Sequence, residues 1–589
     1  MTMKKTHVIT FVIVIVLALF LRIYGAGGTF PSNDHMDPAV ISLNILSLDW
    51  TPDTIFRLSD ENPFARLVVH PVGTAHIIAT FLNALLFFKI FGIQVTEFRW
   101  LIPFILLGAL NIIAIFILVR RTFNTRAAMI SAILLSVIPI HVALSRMMGV
   151  PTLIGLLFLT FFVYFAQDYS EKNDKKSGVL CGVFAALTIV TNSLFLGIIP
   201  LGLYILFNSE FEKKRRVRDA LASAFRRASK KELILPPIII ILILLAVHLA
   251  VVLKTGISCY DILGHTFSGG KTSIGNYAIS ALNWLVNDAG ILLSAIILLS
   301  LAVGINDLKK NKKESIFFVW GIIFLVPFFF LIPPSATQTY VYLLFGIFGM
   351  LAYSSIVLDR FFEKNFNSKL VPIAVIAIIF VLTLYTTLIG VQGVNLPSPI
   401  KIEPPGKYGI HYQDNGAKAA GFWIRENTRE EDIIFSDAKR GDPIELPIAQ
   451  YYFGRTTRAF IDATPPEIRE ALKTKIDEYS VIVTSPRDEE GTTAQLPENF
   501  KKAAVISDAG EPRLVLYQRS RNSPPDYIDI DTANDHFDEK YGNINSLQSK
   551  RFLNDERAMH GRFFDKCAKT KLHQLYQQRL GIIRPDNTT

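Results

Sequence analysis

The sequence predicts an α-helical polytopic membrane protein of about 11 spans, followed by a small α/β extracytoplasmic C-terminal domain. Three observations carry this expectation. Of 589 residues, 51% are hydrophobic and only 19% charged, with a mean hydropathy of +0.36, which is more apolar than soluble chains usually are. The apolar residues are concentrated before Gly393, in successive runs of the roughly 17 to 25 residues that a helix needs to cross a bilayer. The last third has the composition of an ordinary soluble protein, with short alternating strand patterns.

The apolar runs fall at 8–24, 98–119, 127–144, 150–167, 178–208, 233–253, 284–303, 316–332, 337–357 and 370–393. The run 178–208 is long enough for two spans, with Asn192 and Ser193 as the turn between them. The first run has a longer apolar core than a signal peptide uses, so it reads as an anchor. Lys and Arg in short loops prefer the cytoplasmic side. Residues 210–231, "EFEKKRRVRDALASAFRRASKK", carry nine basic and three acidic residues and are therefore assigned inside. The basic loops at 120–126, 171–176, 307–314 and 359–369 agree with that assignment. A further apolar run, 74–92, cannot cross without reversing it, and is expected to lie along the outer face as an interfacial helix. The protein is then an integral membrane protein, expected in a prokaryotic plasma (inner) membrane, with its N-terminus cytoplasmic and everything after 393 extracytoplasmic.

The net charge of +10 is explained by these loops, and no basic stripe or recognition module accompanies it, so no nucleic acid is expected. Cys181, Cys259 and Cys567 are too scattered for a zinc cluster or a disulfide framework.

On the outer side, residues 25–73 form a connection far longer than the usual 4–6 residues or so. In "NDHMDPAV", Asp37 precedes Pro38 and suits the start of a helix. Asp34 has no comparable structural task, and the two aspartates are the candidate catalytic carboxylates. "DENPFARLVVHPVGTAH" adds Asp60, Glu61, Arg66, His70 and His76, with no spacing diagnostic of a metal site. A divalent metal remains a conceivable cofactor, and no metal ligand is assigned. Arg99 and Arg146 open and close their spans on this side, where an arginine either snorkels or holds an anion. The loop 254–280 contributes His265 and Lys271 around the flexible Ser268–Gly269–Gly270.

The order of short motifs then resembles a known family. Asp34–His35, "HPVG" (70–73), "EFRW" (97–100), "RRTF" (120–123) and "PIHVALSR" (139–146) are similar to the motif series of the GT-C class of integral-membrane glycosyltransferases. The branch is that of the protein O-mannosyltransferases and the aminoarabinose transferases of lipid A. Two departures stand out: His35 occupies the place of a second acid, and Val150–Pro151 the place of an acid after "SR". The resemblance implies transfer of a sugar from a polyprenyl-phosphate donor to a hydroxyl on an acceptor protein, lipid or glycan, with inversion. It implies Asp34 as general base, and Arg99, Arg146, His70, Lys271 and His265 as groups that hold the lipid phosphate. The chain thus divides into a membrane catalytic domain (1–393), a proline-rich linker (394–407), a soluble domain (408–520) and a charged extension (521–589). In the soluble part, "AQYYFGR" (449–455) either contacts a substrate or, as the better reading, packs in the core. The rival functions are a lipid-linked glycan transporter and a non-catalytic membrane assembly protein.

Overall fold

Apolar runs fold as helices in lipid because only a helix satisfies its own backbone there. The computed structural model describes residues 4–24, 26, 85–90, 97–146, 152–191, 197–214, 216–240, 242, 289–310, 312–330, 339–368, 370–390, 416–437, 452–459, 476–486, 496–508 and 510–541. Its membrane part consists of α1 (Lys5–Ile23), α2 (Glu97–Thr122), α3 (Thr125–Val137), α4 (Pro139–Leu144), α5 (Thr152–Lys172), α6 (Lys175–Thr191), α7 (Ile198–Lys214), α8 (Val217–Ala228), α9 (Ile291–Lys309), α10 (Ser315–Phe330), α11 (Thr339–Asn365) and α12 (Leu370–Gly390). Among the described residues, six helices are long and apolar enough to cross a membrane: α1, α2, α5, α9, α11 and α12. Of the stretch 74–92, only Leu85–Ile90 is described, and it is a short π-helix.

α3 is the hub. Its small residues Ala127, Ala128, Ser131 and Ala132 are fully buried and let α1, α2, α11 and α12 approach closely on its different sides. The Val8, Val12, Val16 and Phe20 side of α1 and the Ile378, Val381 and Leu382 side of α12 face outward, as lipid-contacting surfaces do. α1 and α2 run antiparallel: Phe11 meets Phe116 with ring centroids 4.3 Å apart, while a Cβ added at Gly108 would stand 2.7 Å from Arg22 Nε. The chain between them therefore leaves and returns at the same end of the bundle.

The run 127–144, expected as one span, is broken. Ile138 is extended and Pro139 starts the separate helix α4, because proline lacks an N–H and drives its predecessor out of the helical region. The break leaves carbonyls at the end of α3 without helical donors. Arg22 Nη1 donates to the Ser136 carbonyl (3.3 Å), and Thr387 Oγ1 of α12 donates to that of Val137.

The opposite end of the bundle is tied by charges. Arg121 pairs with Asp168 (2.6 Å) and Glu171 (3.3 Å). Asp307 receives Arg360 (2.5 Å), Lys312 (2.7 Å) and the Tyr353 hydroxyl (2.9 Å). Asn124 caps α3 by accepting from Ala127 N (2.8 Å) and donates to Asp359, which also pairs with Arg126. These are the loops that the charge rule groups together.

The C-terminal part is a six-stranded mixed sheet in the order β2–β1–β3–β5–β4–β6. Its strands are β1 (Ile433–Asp437), β2 (Thr456–Ala459), β3 (Tyr479–Thr484), β4 (Phe500–Asp508), β5 (Glu511–Arg519) and β6 (Asp526–Asp529). β1 lies parallel to β2 and β3, β5 antiparallel to β3 and β4, and β6 parallel to β4. Helices α13 (Ala417–Asn427) and α14 (Ile530–Tyr541) pack against each other. Ile530, Ala533 and Phe537 are buried in that contact, so residues 526–541 are part of the sheet unit. Lys540 and Tyr541 donate to Glu426 and hold its carboxyl below the usual carboxylate range.

This unit sits on α2. Trp100, Leu101, Phe104 and Ile105 share one apolar cluster with Ala417, Ala420, Trp423, Ile424, Tyr452 and Phe453. Gly421 is required for the fit, since a Cβ there would lie 2.7 Å from the Tyr452 carbonyl oxygen. Inside the contact, Lys418 Nζ lies 3.3 Å from Glu97 Oε1, with side chains only 1% and 7% exposed. The Tyr452 hydroxyl donates to the same oxygen (3.3 Å).

Two stability outcomes follow from these contacts. Lys418→Met strands a buried carboxylate and should cost about 3 kcal/mol or more, whereas Glu97→Gln/Lys418→Met should regain most of that loss in detergent thermal unfolding. Thr387→Val should cost roughly 0.6–1.7 kcal/mol in the same assay, and Thr387→Ser, which keeps the hydroxyl, should stay near wild type.

Candidate functional site

Ionisable groups inside a membrane bundle are costly and usually face a functional interior. Arg22, near the end of α1, is fully buried. Its Nη1 donates to the Ala18 carbonyl (2.7 Å) as well as to Ser136, and its Nη2 lies 2.6 Å from His141 Nδ1. A guanidinium has only donors, so Nδ1 must accept, and the ring proton is on Nε2. Among the described residues, neither Arg22 Nε nor His141 Nε2 has a hydrogen-bond partner, though both are buried. The pair therefore carries one positive charge and two N–H groups still able to donate.

The neighbours pack closely around the pair. Ser145 donates to the His141 carbonyl (2.5 Å), and a Cβ at Gly108 would come within 2.2 Å of Ser145 Oγ. Glycine is thus needed for α2 to pass this cluster. Arg146 follows directly, 1% exposed, with its backbone N–H on the Ala143 carbonyl (2.9 Å). The break at Pro139 makes this possible: it ends α3 early, so that His141 of α4 meets Arg22 of α1 and Ser145, which follows α4, meets Gly108 of α2.

Arg99 is the third residue of α2 and half-buried. It precedes Gly108 by nine residues, about 13 Å along a helix. Arg99 thus belongs to the same end as Arg146 but at the level of the sheet unit, above the Arg22 cluster. Asp34, Asp37, His70, His265 and Lys271 lie outside the described residues. Among the described residues, no three His, Cys, Asp or Glu side chains stand together as a metal site. Tyr452 and Arg455 are packing residues: Tyr452 is 1% exposed, and Arg455 donates to Thr428 Oγ1 (3.1 Å) and to the carbonyls of Arg425 and Thr428.

Sequence reasoning passed over Arg22. The signal was present, an arginine inside "LALFLRIYG", but the run was weighed only as an anchor. Lys418 carries no such signal, since its partner Glu97 lies far away in the sequence. Chemically, a buried cation with spare N–H donors suits an anion with several oxygen atoms.

The family pattern described as dolichyl-phosphate-mannose-protein mannosyltransferase matches residues 70–225. That stretch contains "HPVG", "EFRW", "RRTF" and "PIHVALSR". A comparison with curated protein sequences gives no match. Among solved structures, the chain is similar to ArnT from Cupriavidus metallidurans bound to undecaprenyl phosphate, at 14% identity and a TM-score of 0.56, covering 88% of this chain and 99% of that one. The apo structure of the same protein matches at 13% identity and a TM-score of 0.56, covering 86% and 97%. The oligosaccharyltransferase of Archaeoglobus fulgidus tethered to an acceptor peptide is similar at 15% identity and a TM-score of 0.50, covering 82% and 70%. The chain is therefore related over residues 70–225 to the dolichyl-phosphate-mannose-protein mannosyltransferases, and has the fold of the GT-C membrane glycosyltransferases.

Proposed function

We propose that this protein is an inverting glycosyltransferase that moves a sugar from a polyprenyl-phosphate carrier to an acceptor hydroxyl at the outer face of the membrane. The observation that carries the reading is the Arg22–His141 pair, buried within the bundle with donors to spare. A lipid-linked phosphate is an anion whose tail stays in hydrocarbon, so its receptor belongs in such a place. The fold shared with an undecaprenyl-phosphate-bound protein supports the same assignment. Orientation rests on the basic loops, which put the charged end of the bundle in the cytoplasm. Arg22, Arg99, Arg146 and the sheet unit are then extracytoplasmic, in an eleven-span arrangement.

In this mechanism the acceptor oxygen attacks the anomeric carbon from the face opposite the phosphate. The new C–O bond forms as the bond to the phosphate oxygen breaks, which inverts the centre in one displacement. Asp34 takes the acceptor's proton as general base, with Asp37 as the second candidate carboxylate. The leaving polyprenyl phosphate departs as a stable anion, so no dedicated acid is required. Fixed positive groups stabilise its growing charge: Arg22 and Arg146 from the bundle, Arg99 at its mouth, and His70, His265 and Lys271 from the outer loops. The acceptor is a protein, lipid or glycan presented beside the sheet unit.

The test is transfer by membranes containing wild type or Asp34→Asn, using labelled polyprenyl-phosphate sugars and extracted acceptors. Asp34→Asn should lower the rate by roughly 10²-fold or more with donor binding retained. Transfer at the wild-type rate would remove Asp34 as the base.

A further inference from the structure

Helix α8 has three distinct faces. Ala220, Ala224 and Arg227 are buried against the protein. At about 100° per residue, the adjoining face carries Val217, Leu221 and Phe225, which are 61%, 46% and 51% exposed. The remaining face carries Arg218, Asp219, Ala222 and Arg226, all exposed. An apolar stripe placed between a protein-facing side and a charged side is the pattern of a helix lying in a membrane interface.

The inward side is fixed with unusual firmness. Arg227 donates to Glu210 (2.8 Å) and to the carbonyls of Ser170 (3.1 Å) and Tyr169 (2.6 Å). Ser223 donates to the other oxygen of Glu210 (2.7 Å). These bonds clamp α8 to the ends of α5 and α7, so its apolar stripe cannot roll inward to be buried. What covers the stripe must come from outside, and the surroundings identify its chemistry. Residues 210–231 carry nine basic and three acidic side chains, with Arg216, Arg218, Arg226 and Lys231 exposed. The helical residues that follow expose Ile234, Leu235, Ile238 and Ile239.

We infer that α8 is a docking helix for an anionic membrane surface, with Val217, Leu221 and Phe225 inserted among the lipid headgroups and the flanking arginines on lipid phosphates. Each Lys or Arg near such a surface adds electrostatic attraction, and the apolar stripe supplies the rest. Because Arg227 and Glu210 join α8 to α5 and α7, the lipid surface also braces the basic end of the bundle. The inference is independent of the reaction proposed above.

The test uses the full chain in lipid nanodiscs, with Cys181, Cys259 and Cys567 replaced by alanine and single cysteines introduced as Leu221→Cys, Phe225→Cys, Ala222→Cys or Arg226→Cys. Each is labelled with an environment-sensitive fluorophore. Quenching by lipids bearing a nitroxide near the headgroup should be roughly threefold or more stronger at positions 221 and 225 than at 222 and 226. It should also be stronger in mixed phosphatidylcholine and phosphatidylglycerol than in phosphatidylcholine alone. Equal quenching of all four positions by aqueous acrylamide would overturn the inference. Protection of 221 and 225 without nitroxide quenching would overturn it too, by showing that protein covers the stripe. Identical quenching in the two lipid compositions would remove the anionic preference.

Discussion

The constraint on which the rest of this structure depends is the backbone left open by Pro139. In a bilayer interior no water can satisfy a free carbonyl, so a break in a buried helix needs donors from its neighbours. Arg22 and Thr387 provide them for Ser136 and Val137. Having been brought to the break by this need, the Arg22 guanidinium also meets His141 on the far side. One side chain thus holds the hub helix together and places a positive charge beside His141 inside the bundle.

The two ends of the bundle divide the work. At one end, Arg121, Asp168, Asp307, Arg360 and Asp359 neutralise one another, and their energy goes into joining helix ends. At the other, Arg22 lies buried against His141, and the sheet unit is held above by Glu97, Lys418 and Tyr452. Removing a charge from the first end loosens structure. The buried Glu97–Lys418 pair also fixes the height of the sheet unit over Arg99, since both residues lie within one turn of α2's start.

Much of this was legible in the sequence because lipid imposes a simple rule on length and polarity. The runs near 8–24, 98–119, 150–167 and 370–393 became helices within a few residues of those bounds, and the last third, with its alternating strand patterns, contains the strands of the sheet. Other features escaped for physical reasons. Apolarity continues unbroken through Pro139, so hydropathy could not show that the helix ends there. Lys418 sits on a short helix whose partner is over 300 positions away, and no local pattern shows that the lysine is buried. In "DYIDIDTANDHFDEKY" the apolar residues are sparse, and acidic composition concealed that Ile530, Ala533 and Phe537 recur with helical spacing. The motif series located Arg99 and Arg146, but Arg22 precedes every quoted motif and gains its meaning only from His141 and Gly108.

The most direct measurement is the affinity of purified full-length protein for undecaprenyl phosphate, with undecaprenol as the uncharged control, for wild type, Arg22→Met and Arg22→Lys. Arg22→Met should bind the phosphate at least tenfold more weakly, a change of about 1.4 kcal/mol, while Arg22→Lys loses less and undecaprenol binds all three alike. An Arg22→Met protein that unfolds at the wild-type temperature and binds undecaprenyl phosphate as tightly as wild type would contradict this expectation.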